Sequence, residues 1–179
     1  MSIPVANYGI TTAEIPGKTT FFLEIGNCLQ NCPGCHSPHL SKEDSPYLDA
    51  FMVEQLIASH LRQYPDVNAV LLMGGTTNKG VTLSELKGII ARTYCNFGVP
   101  CGLYSGRDER LLDFVDWAGL YWLKTGSYVE AKGGLESPAT NQRFYEKQIV
   151  VETDHNGVYV GKTYRFHDIT DKFQRRKEV

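Results

Sequence analysis

Three stretches of the chain carry apolar side chains at helical spacing. In the range 47–64, YLDAFMVEQLIASHLRQY, positions 51, 56, 57, 60 and 61 fall near helical spacing, which predicts a helix with Asp49 as its N-cap. The range 82–95, TLSELKGIIARTYC, predicts a second helix that begins with Thr82 and Glu85 as a capping box. The range 107–118, RDERLLDFVDWA, predicts a third.

Short apolar runs alternate with these helices and predict strands at 19–27, 68–73, 99–105 and 119–126. Alternating strands and helices indicate βαβ units and a mostly parallel sheet. In such sheets the functional loops follow the carboxyl ends of the strands. We therefore expect four segments to gather at one edge, namely the cysteine-rich loop 28–39, GGTTN (74–78), SGRD (105–108) and KTGSY (124–128).

Both ends of the chain differ from this βα core at 19–126. Residues 1–18 are polar and turn-rich and predict an N-terminal arm. After an irregular segment, the stretch IVVETDHNGVYVGKTYRF predicts a β-hairpin around a type I′ turn at Asn156-Gly157. The last residues, DKFQRRKEV, predict a frayed or loosely helical tail. We expect one domain over 1–179, with 127–179 forming the irregular segment, the hairpin and the tail.

Composition narrows the function classes. The 179 residues are 42% hydrophobic, which suits one globular core. The net charge is −2, from 18 basic and 20 acidic residues, and it argues against nucleic acid or an anionic membrane as a partner. No apolar run is long enough to span a bilayer, and the N-terminus lacks the features of a signal peptide. We therefore expect a cytoplasmic protein with reduced thiols.

The stretch GNCLQNCPGCHSPH (26–39) concentrates possible metal ligands in one loop. It holds three of the five cysteines within eight positions, and two histidines follow them: Cys28, Cys32, Cys35, His36 and His39. An odd cysteine count in a reducing compartment argues against a disulfide framework. A structural zinc site would take the three cysteines and one of the histidines. Zinc ribbons usually draw on two separated pairs, however, and Cys95 and Cys101 lie far along the chain as expected packing thiols.

An iron–sulfur cluster accounts for the number of cysteines better. Three thiolates hold three iron corners of a cubane, so that the fourth corner stays open for another ligand. Pro33 and Gly34 suit a chain that wraps closely around a bulky inorganic core.

The spacing Cys28-x3-Cys32-x2-Cys35, directly after a predicted strand, resembles the signature of the radical S-adenosylmethionine (SAM) superfamily. The longer string CPGCHSPHL is similar to the "CPGC–aromatic–NPxL" stretch of the anaerobic (class III) ribonucleotide reductase activating proteins. The segment LKTGSYVEAKGGLESPATNQRFYE (123–146) resembles the C-terminal segment of that family around TNQ. The resemblance covers roughly residues 14–146.

This resemblance implies a fold and a cofactor. The fold would be an α/β, open and partial TIM-barrel-like parallel sheet of the radical SAM type, with the hairpin as a C-terminal extension. One [4Fe–4S] cluster would be bound by Cys28, Cys32 and Cys35, and SAM would chelate the open iron. A low-potential donor such as flavodoxin or ferredoxin would supply an electron that cleaves SAM to methionine and a 5′-deoxyadenosyl radical.

The resemblance also implies an activity. The radical would remove a hydrogen atom from a glycine of the partner, the anaerobic ribonucleotide reductase, which makes the chain a radical SAM oxidoreductase of the glycyl-radical-activating kind. Two alternatives stay open. One is another radical SAM enzyme, acting on a small molecule or a different glycyl radical enzyme, and the other is a Cys3His zinc-binding module.

Two positions depart from the family pattern. His36 stands where the family usually has an aromatic residue, and its imidazole can still stack on adenine. Thr76 stands where the superfamily has the acid of Gly-Gly-Glu or Gly-Gly-Asp, which is similar to a clamp on the methionine ammonium; Asn78 or loop carbonyls could complete that site. Ser105 and Lys124, at predicted strand ends, are candidates for the SAM carboxylate or ribose. The full set of expected SAM contacts is Gly34, Cys35, His36, Gly74, Gly75, Thr76, Ser105 and Lys124, with no certain catalytic residue among them.

Overall fold

A computed structural model describes residues 2–174, so the predicted tail lies largely outside the described residues. The described part forms eight strands: β1 (Ser2–Thr11), β2 (Thr20–Ile25), β3 (Tyr47–Asp49), β4 (Ala69–Met73), β5 (Cys101–Tyr104), β6 (Leu120–Thr125), β7 (Arg143–Thr153) and β8 (Tyr159–Asp168). It also forms three helices: α1 (Ala50–Gln63), α2 (Leu83–Phe97) and α3 (Asp171–Gln174). Short 3-10 turns lie at Pro38–Ser41, Leu111–Asp113 and Glu130–Lys132.

All eight strands belong to one open sheet in the order β3-β1-β2-β4-β5-β6-β7-β8. The central strands β2, β4, β5 and β6 run parallel. The outer pairs β1–β2, β1–β3, β6–β7 and β7–β8 are antiparallel. The predicted α/β class, the four core strands and the C-terminal hairpin are confirmed. The sheet is mixed rather than mostly parallel, because strands at both ends of the chain add to it in the opposite direction.

Two apolar layers cover the two faces of the sheet. Alternate residues of the central strands, such as Phe21 and Leu72, pack with Ile57 of α1 and Ile90 of α2 in one buried cluster. The other face carries Leu71, Trp122 and Phe144, and residues from loops and the C-terminal segment cover it: Ile15, Leu135 and Ile169. Because β4 is buried on both faces, its sequence AVLLM reads as a continuous apolar run.

Both predicted N-caps are confirmed. The Asp49 carboxylate accepts a hydrogen bond of 2.7 Å from the Met52 backbone N–H at the start of α1. Thr82 and Glu85 form the capping box of α2. The second helix ends at Gly98, whose φ of 67° is the left-handed C-cap conformation that glycine adopts without strain.

The prediction of an N-terminal arm is wrong, because Ser2–Thr11 forms β1 between β2 and β3. Ile3 and Val5 are buried in the helix-side cluster, and Ile15 in the following connection is fully buried. Asn7, Tyr8 and Ile10 are exposed in the second half of this strand, so it lacks the regular alternation of buried and exposed apolar residues that marks a strand. Backbone pairing with β2, which composition does not reveal, makes it a strand.

The predicted third helix at 107–118 is also wrong, since only Leu111–Asp113 forms a 3-10 turn. The Ser105 hydroxyl donates to Glu109 Oε1 at 2.7 Å, and Arg107 forms an ion pair with the same carboxylate. Such local side-chain bonds compete with helical backbone bonding. Phe114 and Trp117 then anchor the segment as buried side chains rather than as one face of a helix.

The hairpin turn differs from the predicted type I′ turn, because Gly157 has a positive φ of 78° and Asn156 does not. The Asp154 carboxylate accepts hydrogen bonds from the backbone N–H groups of Asn156 and Val158, both at 2.9 Å. This side chain therefore stabilises a longer loop with glycine at its left-handed position.

No helix formed by the described residues is long and apolar enough to cross a membrane.

Lys147 of β7 is a desolvated cation outside the predicted site. Its ammonium donates to the Trp117 carbonyl oxygen at 2.8 Å and lies 5.7 Å from the ring centroids of Tyr164 and Phe166. Burial lowers the pKa of Lys147 to about 8, and Asp116 opposes this shift. At pH values between about 8 and the ordinary lysine pKa, folding therefore releases a proton from Lys147.

We expect the free energy of unfolding to rise between pH 7.5 and 9.5 by about 1 kcal/mol through Lys147, after allowance for solvent screening. Below pH 8 the native state carries a desolvated charge, and this cost disappears as the ammonium loses its proton. Denaturant titrations at both pH values measure the slope, and Lys147→Met should remove this part of it. Lys162→Met, at an exposed lysine beside the same tyrosine, is the control. Equal slopes for the wild type and Lys147→Met would contradict the prediction.

Candidate functional site

A cavity of about 400 Å³ lies beyond the carboxyl ends of the parallel strands. Each of the four loops that the sequence places at this edge contributes to its wall, so their predicted convergence is confirmed. The residues from these loops are Cys28, Gln30, Cys32, Cys35, His36 and Ser37 from the cysteine loop, Gly74, Thr77 and Asn78, then Ser105 and Gly106, and finally Lys124, Gly126 and Tyr128.

The three clustered cysteines line this cavity together as free, half-buried thiols. They also border an adjoining space of about 460 Å³ enclosed by the cysteine loop itself. The backbone N–H of Ser37 points at Cys35 Sγ over 3.4 Å, and the N–H of Cys35 donates to the Cys32 carbonyl at 3.1 Å. N–H donors aimed at sulfur stabilise a thiolate and are among the groups that tune iron–sulfur clusters.

Left-handed residues give the cysteine loop its curvature. Asn27, Asn31 and Gly34 have φ values of 59°, 45° and 68°. The positive φ favours glycine at position 34, where a Cβ atom would also lie 2.7 Å from the carboxyl carbon of the exposed Glu130 side chain. Gly34 therefore packs against the 130–132 turn and borders the loop's own space rather than the main cavity.

Asn78 ties the cysteine loop to the GGTTN loop. Its side-chain amide donates to the carbonyls of Ile25 and Gly26 at 2.7 and 2.8 Å, and its Oδ1 accepts from the Gly75 N–H at 2.7 Å. Its backbone forms a bridge with Cys28. This buried side chain is a structural brace, and its amide is engaged by the chain itself instead of being directed at a ligand.

The GGTTN loop contributes less to the cavity than the sequence suggests. Gly74 lines it with a φ of 100°, whereas Gly75 is buried and a Cβ there would lie 2.8 Å from Leu86 Cδ2. The Thr76 hydroxyl bonds Ser105 Oγ at 2.7 Å and does not line the cavity. Among the expected SAM contacts, Gly34, Gly75 and Thr76 thus stay outside the main wall. Cys35, His36, Gly74, Ser105 and Lys124 lie in it.

Lys124 enters the cavity from the end of β6. Its Nζ lies 5.1 Å from the ring centroid of Tyr104. Within residues 2–174 the ammonium makes no hydrogen bond or ion pair. Burial lowers the pKa of Lys124, while the negative charges of Glu14 and of the Cys35 and Cys32 thiolates oppose that shift. A half-buried cation without a hydrogen-bonding partner is suited to an anionic group of a ligand.

Sequence reasoning missed Glu14 and Tyr104. The Tyr104 hydroxyl donates to the Glu14 carbonyl and carboxylate, at 2.8 and 3.0 Å, and both residues line the cavity. Burial, and then the Glu14 charge, raise the pKa of Tyr104. Tyr104 ends a predicted strand, so alternation could have placed it at this edge, but no sequence signal marks Glu14.

Further walls come from the C-terminal part of the chain. Leu135, Glu136 and Gln142 line the cavity from the irregular segment, and Phe173 of α3 lines it while packing on Phe144 at a centroid distance of 4.8 Å. At the rim, His36 lies 4.6 Å from the Tyr128 ring centroid. His39 instead pairs with Glu24 at 3.1 Å.

The thiol arrangement bears on which metal group the loop fits. Within the described residues no three Cys, His, Asp or Glu side chains converge on a point that could hold a single ion. A zinc site needs its donors around one tetrahedral centre, whereas each corner of a cubane takes its own thiolate. The three thiols border a shared space and one of them receives an N–H, and the iron–sulfur cluster stays a prediction from the motif.

No protein-family model, curated protein or solved structure matches the chain. The radical SAM relationship therefore stays a prediction from the motifs.

Proposed function

We propose that the chain is a radical SAM enzyme that generates the glycyl radical of an anaerobic ribonucleotide reductase. One observation supports this best: the three cysteines of the CxxxCxxC loop line the same cavity as Lys124 and His36. That cavity lies beyond the carboxyl ends of four parallel strands, as expected for a partial barrel of the radical SAM type.

Bound by Cys28, Cys32 and Cys35, a [4Fe–4S] cluster would supply the electron that cleaves SAM. The protein side chains position the cosubstrate. Lys124 offers its ammonium to the SAM carboxylate, and His36 with Tyr128 offers aromatic faces at the rim for adenine. Leu135, Met73 and Phe173 present apolar surface that limits water around a reactive radical.

The partner would present a glycine on an extended segment, since the hydrogen to be removed belongs to a protein backbone. Leu29, next to Cys28 in the cysteine loop, is 62% exposed. The proposed compartment is the cytoplasm, where reduced thiols and a flavodoxin or ferredoxin donor are available.

A second radical SAM activity, on a small molecule or a different glycyl radical enzyme, is favoured by one observation. Thr76 offers a hydroxyl that is bonded to Ser105 in place of the usual acid. A changed cosubstrate site is compatible with a changed substrate.

Anaerobic purification and reconstitution test the proposal in sequence. Iron with acid-labile sulfide, followed by reductant-dependent formation of 5′-deoxyadenosine from SAM, is the expected result. Adding an anaerobic ribonucleotide reductase should then produce a glycyl radical signal in electron paramagnetic resonance. SAM cleavage without that signal would favour the second activity. Stoichiometric zinc without sulfide, and no SAM cleavage, would overturn both.

A further inference from the structure

Glu14 and Lys124 face the same cavity without pairing with each other. Both side chains contact Tyr104: its hydroxyl donates to Glu14 Oε2 at 3.0 Å, and Lys124 Nζ lies 5.1 Å from its ring centroid. They form no ion pair in the described part of the chain, so each charge is left for a ligand group in the cavity that both line. An α-amino-acid head group, with a nitrogen that donates hydrogen bonds and a carboxylate, can meet both at once.

Glu14 is held in place from two directions. The half-buried Tyr104 donates its hydroxyl to the Glu14 carbonyl and to Oε2. The next residue, Ile15, is 0% exposed and anchors the connection in the second core cluster. The remaining oxygen, Oε1, accepts no hydrogen bond within residues 2–174, so a fixed carboxylate retains one acceptor.

Other acidic side chains near the cavity are less suitable partners for a ligand cation. Glu24 pairs with His39, and Glu109 is shared by Ser105 and Arg107. Glu136 lines the cavity but is exposed, so water screens its charge. Thr76 supplies no charge, and the Asn78 amide is engaged by the backbone. Glu14 is therefore the best-placed carboxylate.

We propose that Glu14 and Lys124 together bind the α-amino-acid head group of the ligand, with Glu14 accepting hydrogen bonds from its amino group and Lys124 on its carboxylate. This deepens the proposed function and rests on it, since the amino acid is then the methionyl end of SAM. Glu14 supplies the acid that Thr76 lacks.

Binding to the anaerobically reconstituted protein tests the proposal with three ligands: SAM, an analogue with hydroxyl in place of the α-amine, and decarboxylated SAM. Glu14→Gln keeps an acceptor for Tyr104 but removes the charge. It should weaken SAM binding about ten-fold, remove most of the preference over the hydroxyl analogue, and retain the preference over decarboxylated SAM. Lys124→Met should instead remove most of the preference for SAM over decarboxylated SAM and retain the preference over the hydroxyl analogue. A purely structural effect would weaken all three ligands alike.

Glu54→Gln is the matched control, because that carboxylate also pairs with a cation, Arg92, but lies on the helical layer. It should leave all three affinities unchanged. This inference would be overturned if Glu14→Gln kept the wild-type ligand preferences, or if Glu136→Gln rather than Glu14→Gln lost the preference over the hydroxyl analogue. In either case, SAM binding by the wild type would still support the proposed function. Failure of the reconstituted wild type to bind SAM would overturn both.

Discussion

Replacing Cys28, Cys32 or Cys35 singly with serine should abolish SAM cleavage and leave less than about a tenth of the iron and sulfide of the wild type. The three thiols border one space and belong to one loop, so under the proposed function each substitution would remove one of the three ligands of the cluster. Iron, sulfide and visible absorbance after anaerobic reconstitution measure the first effect, and 5′-deoxyadenosine formation measures the second.

Cys95→Ser provides the matched control, because Cys95 is exposed on α2 and borders neither cavity. It should retain the full cluster content and activity. The prediction is contradicted if Cys95→Ser loses as much iron as the loop variants, or if any loop variant retains wild-type iron and activity. In that case a different ligand set would hold the metal.

Asn78→Ala should lower the free energy of unfolding by roughly 3–5 kcal/mol, the largest stability effect that we expect from a polar side chain in this site. The substitution leaves the carbonyls of Ile25 and Gly26 and the N–H of Gly75 without their buried partner. Since Asn78 joins the two loops, the cysteine loop should also become more accessible to protease. Denaturant unfolding and limited proteolysis of the apoprotein measure both effects without any cofactor.

Two further variants, Asn78→Asp and Asn156→Ala, identify the cause of the loss of stability. Aspartate keeps an acceptor for the Gly75 N–H but cannot donate to the two carbonyls. Asn78→Asp should therefore lower the free energy of unfolding by at least half as much as Asn78→Ala. Asn156 lies in the exposed hairpin turn, and its replacement should cost under about 1 kcal/mol. If Asn78→Ala lowered the free energy of unfolding by less than about 1 kcal/mol, the prediction would be contradicted, because water would then replace the hydrogen bonds of Asn78.

The sequence predicts those helices and strands in which buried apolar residues recur at regular spacing. The run AVLLM and the spaced apolar residues of α1 and α2 report which side of an element faces a core, and the capping residues report where the helices begin. Alternation of these elements also predicts that Cys28, Ser105 and Lys124 meet at one edge.

The missed features depend on particular contacts, some between residues far apart in sequence and some between near neighbours. Strand β1 is held by its pairing with β2 and β3, and the predicted helix at 107–118 is prevented by hydrogen bonds among Ser105, Arg107 and Glu109. Glu14 is held at the cavity by a hydrogen bond that the hydroxyl of Tyr104, ninety positions later in the chain, donates to its carboxylate. Neither periodicity nor spacing contains that information.

The cavity walls come from both ends of the described chain, Glu14 from the first connection and Phe173 from the last helix. A ribosome releases the cysteine loop long before it completes the segment that carries Phe173. The thiols are therefore made early, while their enclosure can be finished only after Phe173 has emerged. A truncation that removed Glu14 or Phe173 would take away part of the cavity wall itself.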